Sequence, residues 1–590
     1  MKPYIFLLTA AGQISQYRVR AKSVGRLGPG SSTRPSSRRV SRERKARSHK
    51  RAFTIGKMTK RFNSDIKSHL IRTATYLLLL GLAVSVIPLA LARRNTTRTR
   101  HTKRVSPANI IVVTNTNDSG PGSLRDALVA ANNGDTIDAT GISGTILLTS
   151  GELPVDKSIT ISGPGADGLA VNGNGSNRVF HVSSGQTVTI SDLTISNGND
   201  YNAGGIYSDG ATLTVNNCTF TANSGGGYGG GGIMSDASNA DANLTVNNCL
   251  FDGNSADFLG GGILNFTTSN TTANLTVSNC TISNNSAEDG GGIVNYGASG
   301  TVTSVVSNTT ITGNSANFGR GGAIHNDAVF VGGSATLTVS SCTISNNSAY
   351  FDGGGIGNSA GNLQISNCTL SGNSAGSGGG VYTEYDEAEV DISNSTLSGN
   401  SATSGGGIYS QDQVTVTVTN STLTGNSANS GGGIYYEFDG SSGGTVILAN
   451  TVLKTGASGE NIYNLGGQVV SQGYNLSNDD GSGYLNHSGD QINTEPVLGP
   501  LQDNGGPTFT HELLPGSPAI DAGDPSFTPP PSFDQRGPGF DRVVNGRIDI
   551  GSFEVQAEGT PTPTPTPTPC TGRCEPTPRP RPTPAPRPSP

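Results

Sequence analysis

Residue types able to do chemistry are scarce in the centre of this 590-residue chain, which makes their placement informative. Between positions 181 and 470 the only Lys or Arg residues are Arg320 and Lys454. Arg320 lies four residues before Ile324, and Asp289 and Asp352 stand at the same place before Ile293 and Ile356, each just ahead of a Gly-rich turn. His325 and Asp327 follow the middle turn. If each intervening segment closes into one coil, the three charges stack as an Asp–Arg–Asp column with His325 beside it. The cation is then expected to depress both carboxylate pKa values. Such a column serves as an acid/base pair or as a surface ion ladder. A second candidate is aromatic: Tyr382, Tyr409 and Tyr435 each directly follow a turn Val or Ile. Strand alternation points them outward, where they either stack to stiffen the scaffold or offer a strip for a glycan or a protein partner. A third is acidic: Glu384, Asp386 and Glu387, with Glu389 and Asp391 nearby, are weak Ca²⁺ candidates, the alternative being a solvated loop. No cofactor is expected.

These candidates sit inside an internal repeat. Successive copies read VNNCTFTANSGGGYGGGGI, VNNCLFDGNSADFLGGGI, VSNCTISNNSAEDGGGI, VSNTTITGNSANFGRGGAI and onward to VTNSTLTGNSANSGGGI. Leu193, Cys218, Cys249, Cys280, Thr309, Cys342, Cys368, Ser395, Ser421 and Thr451 mark one column, with steps of 25 to 33 residues. Apolar residues alternate within each copy, as in Leu213-x-Val215 and Leu275-x-Val277, which is strand periodicity. A unit this short holds about three strands and cannot bury a core alone, so the copies must stack with like strands pairing in parallel. The fold class expected is all-β, a right-handed parallel β-helix. Segments such as TTSNTTAN and NDAVFVGGSAT vary in length and are read as loops bulging from one side.

The repeat columns have structural explanations. Gly pairs before the Ile (Gly231-Gly232, Gly261-Gly262, Gly291-Gly292, Gly354-Gly355) permit positive φ or close coil approach. The Asn column (Asn223, Asn254, Asn285, Asn314, Asn347, Asn373, Asn400, Asn426) is expected to form an amide ladder of the kind seen in cross-β stacks. The Cys column is read as small buried hydrophobes and free thiols. Disulfides between neighbouring coils are the rival, and metal binding is not expected because no His approaches the column.

Composition agrees. There are 84 Gly and no Trp, a poor basis for a helical protein. Residues 1–104 carry 25 Lys+Arg against Glu43 and Asp65, a net of +23, whereas 105–590 carry 12 basic and 41 acidic residues, a net of −29. An acidic body argues against nucleic-acid binding. Residues 58–92 read as a secretory signal peptide, with the uncharged run ATYLLLLGLAVSVIPLALA ending in an A-x-A pattern. A membrane anchor is the alternative, and Arg93-Arg94 favours it. Residues 1–57 are read as a start-site artefact or a basic extension, and 93–108 as a linker.

Residues 109–180 are expected to cap the N-terminal end, with a helix N-capped by Ser123 over SLRDALVAANNGD and ended by Asn133-Gly134. Residues 181–470 are the repeats, 471–555 a C-terminal cap domain, and 556–590 a Pro/Thr-rich spacer bearing Cys570 and Cys574.

The GGGI/GGAI and N-S-A elements over about 190–455 resemble the repeats of polymorphic outer membrane proteins and, more broadly, the right-handed β-helix superfamily. GSLRDALVAANNGDTI resembles the short leader domain ahead of bacterial β-helices, with Gly122 in place of its usual Cys. The stretches around Thr494–Val497, Gly499–Thr508, Leu514–Gly523, Asp534–Gly537 and Ile550–Glu554 resemble the choice-of-anchor Q domain of bacterial surface proteins. Together these resemblances imply an exported, surface-associated, non-catalytic β-helix, monomeric and associated with the envelope or outer membrane. It would present loops for adhesion to a glycan or surface-protein partner. The alternative is a secreted polysaccharide lyase or glycoside hydrolase of the pectate-lyase-like type. A pure spacer is a third possibility.

Overall fold

The computed structural model describes residues 108–328, 332–385, 388–438 and 444–556. The signal peptide, the basic extension, most of the linker, nearly all of the Pro/Thr-rich tail, and Asp386 and Glu387 of the proposed Ca²⁺ cluster lie outside the described residues. Among the described residues no helix is long and apolar enough to cross a membrane.

The described chain winds into a parallel β-helix. Three long sheets run its length. The first has 14 strands from Ile110–Val112 to Gln468–Gly473, the second 13 from Gly144–Leu147 to Leu476–Ser477, and the third 12 from Leu153–Val155 to Ile462–Leu465. A fourth, not expected from the sequence, has 8 short strands from Asn199–Asn202 to Ser401–Ser404, the four consecutive ones from Ser255–Ala256 to Ser348–Ala349 being Ser-Ala pairs. One coil therefore runs third sheet, first sheet, second sheet, fourth sheet, Gly turn and back to the third.

Register is one coil per repeat. Leu213 pairs with Leu244, and Leu244 with Leu275. Ile206, Ile233, Ile263 and Ile293 form another file. The inward files are buried along the shaft, the Leu file broken once by Ser304 between Leu275 and Leu337, so apolar area is removed from water coil after coil. The Phe220 and Phe251 rings stack within it, 4.5 Å apart and parallel to 1°.

Corners decide the register, and polar side chains build them. Asn223 Nδ2 donates to Asn254 Oδ1 at 2.9 Å and to the Ile195 carbonyl at 2.9 Å, and the ladder continues through Asn426. Each Asn Oδ1 also accepts the main-chain N–H of the Asn one coil before. A second ladder, missed in the sequence, runs Asn265, Asn295, Asn326 and Asn358. Its signal was present: an Asn recurs two residues after the turn Ile. At the corner before the Cys column, Asn217, Asn248, Asn279 and Asn308 take positive φ, a conformation Asn tolerates.

The Gly turn divides its labour differently from expectation. Positive φ falls on the residue before the pair, +63° at Gly260. The pair itself serves close approach, since a Cβ on Gly261 would lie 2.5 Å from the Gly291 carbonyl oxygen. The cysteines Cys218, Cys249, Cys280, Cys342 and Cys368 are buried and free, as expected. At the starts of the first-sheet strands, where the chain arrives from the third sheet, Ala242, Ala273, Val302 and Ala335 form a separate small cluster.

The N-terminal end is covered by helix α1 (Leu124–Ala130), N-capped by Ser123, with Leu124, Ala127 and Leu128 buried. It stops before the expected Asn133-Gly134, because Ala131 is already extended. Beyond the last coil Leu485 joins the core. Residues 498–555 then do more than cap. They fold back along the outside of the second sheet as a strap. The strap begins with an antiparallel pair, Leu498–Gln502 with Thr510–Leu513. Gln535 Nε2 donates to the Cys368 carbonyl at 3.1 Å, Ser398 Oγ meets His511 Nε2 at 2.9 Å, and Ser552 N donates to Thr422 Oγ1 at 3.1 Å.

Candidate functional site

The Gly-turn register places Leu259, Asp289, Arg320, Asp352 and Ser377 one above another, as main-chain bonds from Gly260 to Asp289, Gly290 to Arg320 and Gly321 to Asp352 require. The strand that follows each turn lies in the third sheet. Its second and fourth residues bring His325, Tyr382, Ser359 and Glu384 against the column.

The expected Asp–Arg–Asp column therefore exists, with a fourth member the sequence did not single out as its partner. Arg320 Nε lies 3.2 Å from Asp352 Oδ2, and Nη1 pairs with Glu384 Oε1. Nη1 also donates to Ser359 Oγ at 3.1 Å, and the Arg320 main-chain N–H donates to Asp289 Oδ1 at 2.6 Å. Glu384 is buried, and its Oε2 accepts from Tyr382 Oη at 2.7 Å and from Gln411 Nε2 at 3.4 Å. It is thus a buried ion-pair partner of Arg320 and not a solvated loop residue. Among the described residues no group of three or more His, Cys, Asp and Glu is arranged to hold a metal ion.

The electrostatics reverse one expectation. Burial pushes the Asp352 carboxyl up to about 6, with Arg320 pulling the other way and Glu384 adding to the rise. Burial also raises Asp289. Depression was expected from the cation alone. Desolvation outweighs it, because the guanidinium is shared between two carboxylates in a half-enclosed space. Burial holds His325 down at about 4, so its ring is neutral near pH 7. Its Nδ1 lies 4.0 Å from Asp289 Oδ1, too far for a hydrogen bond, and Nε2 is 3.4 Å from Ser359 Oγ. The cluster keeps a partial opening: the Asp289, Arg320 and Asp352 side chains are 31%, 28% and 15% exposed.

The aromatic strip also forms, but not as an open platform. Tyr382, Tyr409, Tyr435 and additionally Tyr463 stack face to face at 5.2, 4.9 and 5.0 Å. The first three rings are buried against the Gly turns, and Tyr409 Oη donates to Glu437 Oε2 at 2.7 Å. Their faces are occupied by one another, so the strip cannot stack a sugar ring by its faces. Outward alternation was right, but the Gly-turn backbone covers what points outward.

A second charged group, near the N-terminal end, was not singled out from the sequence. Arg178 pairs with Glu152 at 2.7 Å and Asp200 at 2.6 Å, and stands 4.9 Å from the Tyr207 ring centroid. Glu152 also meets His181 Nδ1 at 3.2 Å. The coils here lack the clear repeat that would have aligned these residues.

Comparison with solved structures finds distant likenesses. One is the catalytic unit of a thermostable GH87 alpha-1,3-glucanase from Streptomyces thermodiastaticus strain HF3-3, 17% identical over 65% of this chain and 69% of that one, TM-score 0.38. Another is pectate lyase Pel9A, 16% identical over 76% and 97%, TM-score 0.31. A third is the A-module of the Azotobacter vinelandii mannuronan C-5 epimerase AlgE6, 12% identical over 62% and 99%, TM-score 0.30. No curated protein matches the sequence. Residues 124–317 and 273–493, together more than half of the chain, match the family of right handed beta helix regions, and the protein belongs to that family.

Proposed function

We propose that this β-helix hydrolyses a neutral polysaccharide, with Asp352 as general acid and Asp289 as the base that activates water. The observation that carries this reading is geometric: Asp289 and Asp352 flank Arg320 at a partly open site, and burial there pushes the Asp352 carboxyl up to about 6. A carboxyl that keeps its proton up to about pH 6 is suited to protonating a leaving-group oxygen in mildly acidic conditions. Asp289 and Asp352 occupy equivalent positions two coils apart, a backbone spacing of roughly 9–10 Å. Inverting glycosidases leave room for a water between carboxyls ~6.5–9.5 Å apart. Arg320, between them, fixes Asp352 through Nε and Asp289 through its main-chain N–H. Glu384, Tyr382 and Ser359 hold the guanidinium in turn. The charge balance selects the substrate class. The body is acidic and Arg320 is already shared between two carboxylates, so an anionic uronate chain meets repulsion where a neutral one does not.

The test is release of reducing ends from a panel of neutral polysaccharides by the mature protein, with Asp352→Asn and Asp289→Asn as variants. Loss of turnover in both variants, with the fold retained by circular dichroism, supports the assignment. Wild-type protein that releases no sugar from any polymer refutes it.

A second reading, a non-catalytic rod presenting loops for adhesion, is favoured by the engagement of Arg320 by Asp352, Glu384 and Ser359, which closes the network without a substrate. In either case we read the protein as exported through the 58–92 segment and held at the cell surface or outer membrane by its choice-of-anchor Q-like C-terminal region.

A further inference from the structure

Beside the acid column the solenoid exposes aromatic rings that lie outside its buried core. Phe318, Tyr350 and Phe351 are 69%, 64% and 49% exposed. They sit on the loops that leave the short Ser-Ala strands Ser315–Ala316 and Ser348–Ala349 and lead into Arg320 and Asp352. Main-chain bonds from Tyr350 to the Ala316 carbonyl at 2.9 Å and from Phe351 to the Gly319 carbonyl at 3.0 Å fix the two loops side by side. Phe351 is the immediate neighbour of Asp352. In the next coil this place falls to Gly376, where an added Cβ would sit 2.6 Å from the Phe351 carbonyl oxygen.

None of the three rings belongs to a buried cluster. They contact one another obliquely: Phe318 and Tyr350 are 6.4 Å apart at 45°, and Tyr350 and Phe351 4.8 Å apart at 83°. An edge-on contact covers one face of one ring of the pair, and with the rings about half or more exposed the remaining faces are open. The Tyr382 file does the opposite, closing each face on the next. A contiguous exposed apolar patch outside the core, rimmed by polar residues, marks a binding surface. Flat aromatic faces beside a few placed polar groups are what a pyranose ring requires, with its C–H face on the ring and its hydroxyls toward Asp352 and Arg320.

We infer that Phe318, Tyr350 and Phe351 form the platform that seats a neutral polysaccharide chain next to Asp352. This rests on the reading of the site as a polysaccharide hydrolase and names the surface that brings the glycosidic oxygen to the acid. Charge sets the class: Glu288, Asp289 and Asp352 border the platform, and its neighbouring cation Arg320 is already paired. A uronate polymer or an acidic protein is repelled there.

The experiment is affinity electrophoresis of the full chain carrying Asp352→Asn, which prevents turnover. The gels contain dextran, mixed-linkage β-glucan, xyloglucan or galactomannan, with polygalacturonate as the anionic polymer. Retardation by at least one neutral polymer is expected. Adding Phe318→Ala, Tyr350→Ala and Phe351→Ala together should raise the Kd tenfold or more, whereas Tyr201→Ala, an equally exposed ring elsewhere, should leave it unchanged. All four positions are surface rings, so circular dichroism should not change.

The proposal is overturned if no neutral polymer retards the parent chain, if polygalacturonate retards it more strongly, or if the triple variant binds as the parent does. Turnover is read separately in wild type. Cleavage by wild type with unaltered binding in the triple variant removes the platform and leaves the hydrolase reading standing. Binding lost in the triple variant, with no cleavage by wild type, supports the platform and removes the hydrolase reading.

Discussion

Asn347→Ala tests whether the amide ladder holds the coils in register. Asn347 is fully buried and makes four side-chain hydrogen bonds. Its Nδ2 donates to the Ile311 carbonyl and to Asn373 Oδ1, both at 3.0 Å. Its Oδ1 accepts from the main-chain N and from Nδ2 of Asn314, both at 2.9 Å. Truncation removes all four and takes the partner from the buried Asn314 N–H. With about 1 kcal/mol net per bond, and more for an orphaned buried donor, the loss is about 4 kcal/mol. In a solenoid each coil touches only its neighbours, so the damage stays near coils 314–373 instead of spreading to the whole chain. Peptide-resolved amide exchange reads this directly, because 1.4 kcal/mol is tenfold: protection across 311–350 should fall by roughly 10³-fold. Peptides near Leu213 should be unchanged. The control is Asn274→Ala, an exposed amide donating to Asn243 Oδ1 at 3.0 Å, which should alter protection by less than about threefold. A fall of less than tenfold at Asn347 would mean that the apolar files alone set the register, and would refute the reasoning.

The strap should loosen in alkali. Burial lifts the fully buried Glu554 carboxyl from 4.5 to about 8, so its protonated form stabilises the fold fully below pH 4.5 and that contribution is lost as pH rises through about 8. Proteolysis within 498–555 should therefore accelerate between pH 6 and pH 9, and Glu554→Gln should flatten the dependence. If Asp352 is the general acid, reducing-end release should fall as pH rises past about 6, and a profile flat from pH 5 to pH 8 would reject that role. The five column thiols should resist Ellman's reagent until urea is added. All five are buried away from the reagent, and burial raises Cys218 to about 12, although the hydrogen bond with Cys249 lowers Cys280.

Much of this architecture was legible before any coordinates. The Leu213-x-Val215 alternation, the Cys column and the Asn223-to-Asn426 column each recur once per coil, and parallel stacking turns any such recurrence into a straight file. The rule also revealed Asp289, Arg320 and Asp352 as neighbours across 63 residues of chain. It failed where the repeat is weak, at Arg178, Glu152 and Asp200, and where the chain leaves the stack. Nothing in the order of residues 498–555 says that Gln535 returns to the Cys368 carbonyl.

Sequence alone thus determined which side chains lie above which, because one coil per repeat fixes register. Only the tertiary structure decided how much water each one sees. The Gly-turn backbone closes over Tyr382 and Tyr409, burial lifts Asp352 where the adjacent cation alone would lower it, and the loops of Phe318 and Tyr350 stay bare. Solvation is set by neighbours from several coils at once, and no single repeat carries that information.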